Sequence, residues 1–173
     1  MASIFAFKCS CCGKTHEGSP GFGFRAPDQY VSLSEQQKAE MSRIGDDLCM
    51  ITHDEGTDFF VRAILEIPIH GARDPFLWGV WVSLSEQSFE RYRQTFEEPV
   101  EGETFFGWVC NEIKPYPSAR MRPADVVVQA GRARPKVILH KDEFEDDPLV
   151  ADQVNGISVA RAQELAEGAM HGA

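Results

Sequence analysis

Two runs of β-branched and aromatic residues dominate the middle of the chain, at 59–69 and 76–84. Side chains of this kind pack well on a pleated surface, and the turn residues of 70–75 between the runs predict a hairpin. Behind the second run, Ser83 stands three residues before Glu86, a capping-box pattern, and Phe89, Tyr92 and Phe96 recur at helical spacing. That predicts a helix lying on the sheet through its rings. Further strands are expected at 104–113, 120–129 and 136–140.

The ends of the chain read differently. Residues 3–8 predict a short strand leading into a cysteine-rich turn, and 17–27, rich in Gly and Pro, predict a loop. Ser32, three residues before Glu35, opens a helix to about Ile44, where Gly45 stops it. Residues 47–52 form an apolar segment, a strand or a buried turn, that carries Cys49. A turn at Asn155-Gly156, an N-cap at Ser158 and a helix over 159–168 close the chain. Strands in succession with helices toward the ends predict an α+β fold: a mainly antiparallel sheet with two or three helices and an N-terminal zinc-knuckle-like turn, not alternating βαβ units. One domain over 1–173 is expected, with a metal-stapled part over 1–53 and a sheet-and-helix body over 54–173.

Composition narrows the class. A chain of 173 residues with 43% hydrophobic and 25% charged residues is neither fibrous nor disordered. It is long enough to bury a core without disulfides. No run approaches the ~18 apolar residues of a membrane span, and residues 1–8 lack a secretory signal pattern, so a soluble cytoplasmic protein is expected. The five cysteines are an odd number and three fall within four positions, which suits reduced thiols, some of them on a metal.

The net charge of −10 repels phosphate backbones and suits a basic protein partner. Acidic residues concentrate at 141–147. Basic ones concentrate at 114–136, with Lys114, Arg120, Arg122, Arg132, Arg134 and Lys136. Both runs read as solvated surface, or as an acidic face for a basic partner and a basic patch for an anion.

The chemistry sits in Cys9-Ser10-Cys11-Cys12-Gly13-Lys14-Thr15-His16. A C-x2-C pair followed by glycine lets the backbone curl so that both thiolates face one centre, and zinc takes four such sulfur and nitrogen donors in a tetrahedron. His16 is near enough to be the third ligand. Cys49 is the best candidate for the fourth, because Cys110 lies among bulky apolar neighbours. A rival set is Cys9, Cys12, Cys49 and His53, since Cys49 and His53 have C-x3-H spacing. Cys11 is a further substitute for a neighbouring cysteine. Free thiols in a tight turn, or a redox pair, also carry a C-x2-C. Four protein ligands leave no open position, so a metal here is expected to be a structural Zn2+.

Taken together, these segments resemble a bacterial family of unknown function, the domain-of-unknown-function family 2199. The resemblance rests on Cys9 to His16, on Asp47-Leu48-Cys49, on 59–68 and on Trp78-Gly79-Val80-Trp81-Val82-Ser83-Leu84. Phe106-Gly107-Trp108, Pro148-Leu149, Gln153 and Gly156-Ile157 complete it. It implies that Cys9, Cys12, His16 and Cys49 belong to the family pattern, which favours His16 over His53, with Cys11 as an additional cysteine. It brings no activity with it.

Trp78, Trp81, Trp108, Phe76, Phe105 and Phe106 form the aromatic centre of the chain, and aromatics in strands are more often core than platform. Trp78 and Trp81, three apart, point to opposite faces of a regular strand, so one of them is a candidate for exposure beside Phe22 and Phe24. His70 and His140-Lys141-Asp142 offer acid–base residue types without a connecting geometry. Gly21-Phe22-Gly23 lacks the third glycine of a dinucleotide loop, and no H-E-x-x-H, G-x-S-x-G or phosphate loop occurs. No catalytic residue is assigned. The expected function is a non-enzymatic, zinc-stapled domain that binds a macromolecule, with an inhibitor of a basic protein as one version resting on charge and size. The alternatives are an enzyme with a cleft near Trp78 and Trp81, a thiol/redox protein using Cys9 and Cys12, and a nucleic-acid binder using Arg120, Arg122, Arg132 and Arg134.

Overall fold

The computed structural model describes residues 3–118, 121–141 and 146–172. The chain opens with an antiparallel hairpin of β1 (Ala6–Lys8) and β2 (Thr15–Glu17), in which Phe7 stands opposite His16. There follow β3 (Gly21–Gly23), the short α1 (Asp28–Val31), α2 (Glu35–Met41), β4 (Ser42–Ile44) and β5 (Leu48–His53). The long strands β6 (Gly56–Ile67) and β7 (Phe76–Leu84) form the predicted hairpin, and α3 (Glu86–Gln94) comes next. Three more strands, β8 (Thr104–Val109), β9 (Arg122–Val127) and β10 (Lys136–Leu139), precede α4 (Pro148–Asn155) and α5 (Val159–His171).

The sheet closes on itself. Strands β6, β7, β8, β9 and β10 pair in sequence, and β10 returns to β6 in parallel, making a five-stranded barrel. Outside the ring, β5 and then β4 extend from β6, and β3 adds to β7 in parallel. The fold is therefore mixed α and β with a sheet that is mainly antiparallel, as expected, but it includes two parallel strand pairings, and five helices among the described residues stand where two or three were expected. The sheet also runs through residue 53, since β5 pairs with β6 along its whole length.

Alternation along the strands sorts the core into two parts. Phe59, Val61, Ala63, Leu65 and Ile67 of β6 join Phe76, Trp78, Val80, Val82 and Leu84 of β7 in the main cluster, covered by Phe89 and Tyr92 of α3 and by Ala162, Leu165 and Ala166 of α5. Phe60 and Trp81, at the intervening positions, form a second cluster with Cys49, Ile51 and Cys110. Trp78 and Trp81 thus do point to opposite faces, yet both are buried. Gly107 lets β8 close on β7, because a Cβ there would lie 2.5 Å from the Ser83 carbonyl oxygen.

Several boundaries differ from the sequence reading. The caps are Ser34, in a capping box with Gln37, and Ser85, which accepts from the Ser88 N–H; Ser83 still belongs to β7. The second helix stops at Met41 because Ser42 already pairs with Ile51. Helix α4 is additional, started by the Asp147 carboxylate on the Leu149 N–H and by Pro148 in its first turn. Helix α5 continues three residues beyond its expected end. Arg120 and most of the acidic run, 142–145, lie outside the described residues. No helix among the described residues is long and apolar enough to cross a membrane.

Candidate metal centre

The loop of the first hairpin is the cysteine turn. The Cys9 N–H donates to the Lys14 carbonyl at 2.8 Å and the Gly13 N–H to the Cys9 carbonyl at 2.9 Å, with Gly13 at φ +71°. That left-handed conformation is cheap for glycine and turns the chain back on itself. The result brings the thiols of Cys9 and Cys12 together. Burial pushes the Cys9 thiol up, but the backbone N–H groups of Cys12 and Cys11, with the Cys12 side chain, outweigh it and hold Cys9 below its ordinary range.

The other wall is α5. Residues Gln163, Glu167 and His171 are four apart and share one face of the helix. Gln163 donates to the Lys8 carbonyl at 3.2 Å and to the Glu167 carboxylate at 2.9 Å. Glu167 accepts from the Ser10 N–H and hydroxyl at 2.6 and 2.7 Å. These contacts, the Ser10 N–H first among them, hold its carboxyl below the usual carboxylate range. His171, on the last turn, brings its Nε2 to 3.3 Å from the Cys9 Sγ.

Cys9, Cys12 and His171 thereby form a group whose donor atoms all lie within 4.8 Å of one another, Cys9 buried and the other two exposed. His16 flanks it from β2, where it is half-buried against the Phe7 ring, with its Nε2 3.6 Å from the Cys12 Sγ. Tetrahedral zinc with ordinary Zn–S and Zn–N bonds separates sulfur from nitrogen donors by about 3.6 Å. The Cys12–His16 separation matches that edge and the Cys9–His171 separation falls a little short of it, and thiolate with imidazole is a donor set zinc favours.

The structure does not bring Cys49 to this group. Its side chain projects from β5 into the second core cluster, with Ile51, Phe60, Trp81 and Cys110, whereas Cys9 belongs to the main cluster that Leu48 and Met50 pack against. Burial pushes the Cys49 thiol up to about 12. His53, of the rival set, sits at the β5–β6 turn with its Nε2 2.9 Å from Asp58. Cys11 is exposed, its thiol turned toward the Ser10 hydroxyl at 3.9 Å. His171 is the candidate donor that sequence reasoning missed. Its signal was present, for Gln163, Glu167 and His171 repeat at helical spacing, but it required the helix to run past Gly168.

The remaining candidates fall elsewhere. Arg122 is buried and paired with Asp147 at 2.7 Å; Arg132 pairs with Glu97, Arg134 with Asp47 and Lys136 with Glu66. These four cations of the basic stretch are thus matched with carboxylates. His70 bonds the Asn155 carbonyl oxygen at 2.8 Å, and His140 bonds Asp125 at 2.9 Å. Of the three tryptophans, the exposed one is Trp108, beside exposed Phe106.

A small barrel whose N-terminal cysteine turn and C-terminal helix converge on two thiols and an imidazole defines an α+β domain with a candidate metal centre joining its ends. The chain belongs to a family described as uncharacterised proteins conserved in bacteria (DUF2199), whose model matches residues 8–157. His171 lies beyond that stretch. No curated protein and no solved structure matches the chain.

Proposed function

We propose that this protein is a zinc-stapled, non-enzymatic domain that binds a basic protein partner. The observation that carries the metal half is the convergence of Cys9, Cys12 and His171 within 4.8 Å; His16, outside that group but with its Nε2 3.6 Å from the Cys12 Sγ, is the candidate for a fourth donor. With His16 drawn in by the metal, two thiolates and two imidazoles would fill a tetrahedron and leave no position for substrate or activated water. The zinc fastens the cysteine turn to the last turn of α5, adding to the hydrogen bonds that Gln163 and Glu167 make across that seam.

The partner half rests on charge. A net charge of −10 favours a basic partner through steered association. The paired state of Arg122, Arg132, Arg134 and Lys136 leaves those residues little to offer a phosphate backbone. The burial of Trp78 and Trp81 gives a cleft beside them no support.

Elemental analysis of the purified, tag-free protein, paired with a thiol count before and after chelation, tests the metal half. One zinc per chain with Cys9 and Cys12 masked until the metal is stripped supports the staple. No metal and freely reactive Cys9 and Cys12 would overturn it.

A further inference from the structure

The outward positions of β8 are Thr104, Phe106 and Trp108, in a strand whose other three residues are buried or inward-facing. A solvent-facing strand is expected to show polar residues at such positions. Here two of the three are large aromatics, Phe106 at 50% and Trp108 at 38% exposure, packed edge to face with centroids 5.4 Å apart. The register carries the face across the sheet. Phe106 stands opposite Asp125 of β9, and Asp125 opposite Ile138 of β10, itself 49% exposed. The His140 ring lies 5.5 Å from Phe106, and its Nε2 is 2.9 Å from the Asp125 carboxylate. The Asp125 side chain remains 46% exposed. A cavity of about 620 Å³, lined by Asp125, Ile138, His140, Lys141 and Val154 among others, opens beside it.

We infer that this outer face of β8, β9 and β10 is where a basic segment of a protein partner docks, with an arginine side chain lying over the Phe106 and Trp108 rings and its charge facing Asp125. The inference deepens the partner half of the function proposed above and is independent of the metal. Three features point to this occupant. Aromatic faces carry partial negative charge and attract a guanidinium, most strongly at tryptophan. A half-exposed carboxylate stands in register with those rings, and Asp125 can keep its bond to His140 through one oxygen while the other accepts from the guanidinium. The whole chain, at −10, draws a basic segment toward it. Lys141 stands at the cavity edge, and Lys136, two residues from Ile138 on β10, is engaged by Glu66, so the guanidinium belongs on the Phe106–Asp125 side.

The test is titration of the intact protein, as purified, with a nona-arginine peptide at physiological ionic strength, followed by tryptophan fluorescence and calorimetry. Trp108→Ala should weaken binding about fivefold or more, the scale of one partly desolvated cation–π contact. Trp108→Phe should restore most of the loss, and Asp125→Asn, which keeps a hydrogen bond to His140, should weaken binding to a similar degree. Ile4→Ser, at an exposed apolar residue outside this face, should change nothing. All three positions are at least partly exposed, and circular dichroism of each variant separates unfolding from loss of the contact. Binding equally tight in wild type, Trp108→Ala and Asp125→Asn would overturn this surface while leaving the partner reading standing. Absence of binding by the wild-type protein would overturn both.

Discussion

The Glu167 carboxylate accepts two hydrogen bonds from Ser10, from its backbone N–H at 2.6 Å and its hydroxyl at 2.7 Å, across a separation of 157 residues in sequence. One turn further along α5, His171 faces Cys9, which neighbours Ser10. The pair therefore sets the distance between thiols and imidazole before any metal arrives. Partners that orient metal ligands in this way are typically worth about 10–100-fold in metal affinity. Glu167→Ala should lower zinc affinity on that scale, measured by competition with a chromophoric chelator, while leaving one zinc per chain at saturation. Because the folded-state Glu167 carboxyl is held below its ordinary value, its contribution to stability is present above about pH 4.5 and is lost as pH falls through the depressed value. Metal-free protein compared with its Glu167→Gln variant should thus show melting temperatures that converge in acid.

His171→Ala should weaken zinc binding more than Glu167→Ala does, since it removes a donor and not its support. His16→Ala should also lower metal affinity, whereas His53→Ala should leave it intact, because the His53 ring is engaged by Asp58. Cobalt substitution provides the spectroscopic check. The wild-type protein should give the visible bands of a tetrahedral site with thiolate charge transfer, and His171→Ala should alter them. A spectrum unchanged in His171→Ala would remove His171 from the ligand set.

The five thiols should separate into three classes on alkylation at pH 8. Cys11, exposed and outside the metal group, reacts first. Cys9 and Cys12 react only after chelation. Cys49 and Cys110 are buried in the second core cluster and should react only on unfolding. Burial lifts the Cys49 thiol from the ordinary 9.0 to about 12. The folded state thus holds this proton more tightly than the unfolded chain does. The corresponding stability is complete below pH 9 and declines as pH rises toward 12, and Cys49→Ala should flatten that decline. Loss of zinc on Cys49→Ser, with the protein still folded, would return Cys49 to the site.

How much of this was legible in the sequence depends on how local each signal is. The β6–β7 hairpin was readable because runs of β-branched and aromatic residues and the turn residues between them are local facts, and β7 spans the stretch expected for it. Closure of the barrel was not readable: it depends on β10 reaching β6 in parallel, a pairing with no local signature. Cys9, Cys12 and His16 stood out by spacing, but spacing says nothing of which way a strand residue faces. Cys49 alternates with Leu48 and Met50, and that parity sends it to the other side of the sheet. His171 was hidden because a glycine reads as a helix end, yet Gly168 has open space around its Cα and α5 continues through it. Helix α4 was hidden for a related reason. Its start signal, Asp147-Pro148, lies in an acidic run that reads as loop.

That same Asp147 carries the strongest stability expectation. It caps α4 through the Leu149 N–H at 2.9 Å and pairs with the Arg122 guanidinium at 2.7 Å, and both side chains are more than nine-tenths buried. Arg122 also donates to the Tyr116 carbonyl oxygen at 2.7 Å, and the Tyr116 hydroxyl donates to Asp152 of α4 at 2.6 Å. One network therefore ties β9, the segment before it and α4 together. Removing one member of a buried pair leaves the other charge uncompensated, at a cost of about 3–5 kcal/mol. Asp147→Ala should fall in that range, or somewhat above it because a helix cap is lost as well, by denaturant unfolding of the zinc-loaded protein. Replacing both partners with apolar residues of similar size, Arg122→Met with Asp147→Leu, should recover a large part of the loss, since the pair's attraction only offsets its desolvation. Full recovery is not expected, because the Leu149 N–H and the Tyr116 carbonyl oxygen would each lose a partner. A single Asp147→Ala variant as stable as the parent would mean that water reaches Arg122 and that the pair is not the buried anchor its geometry indicates.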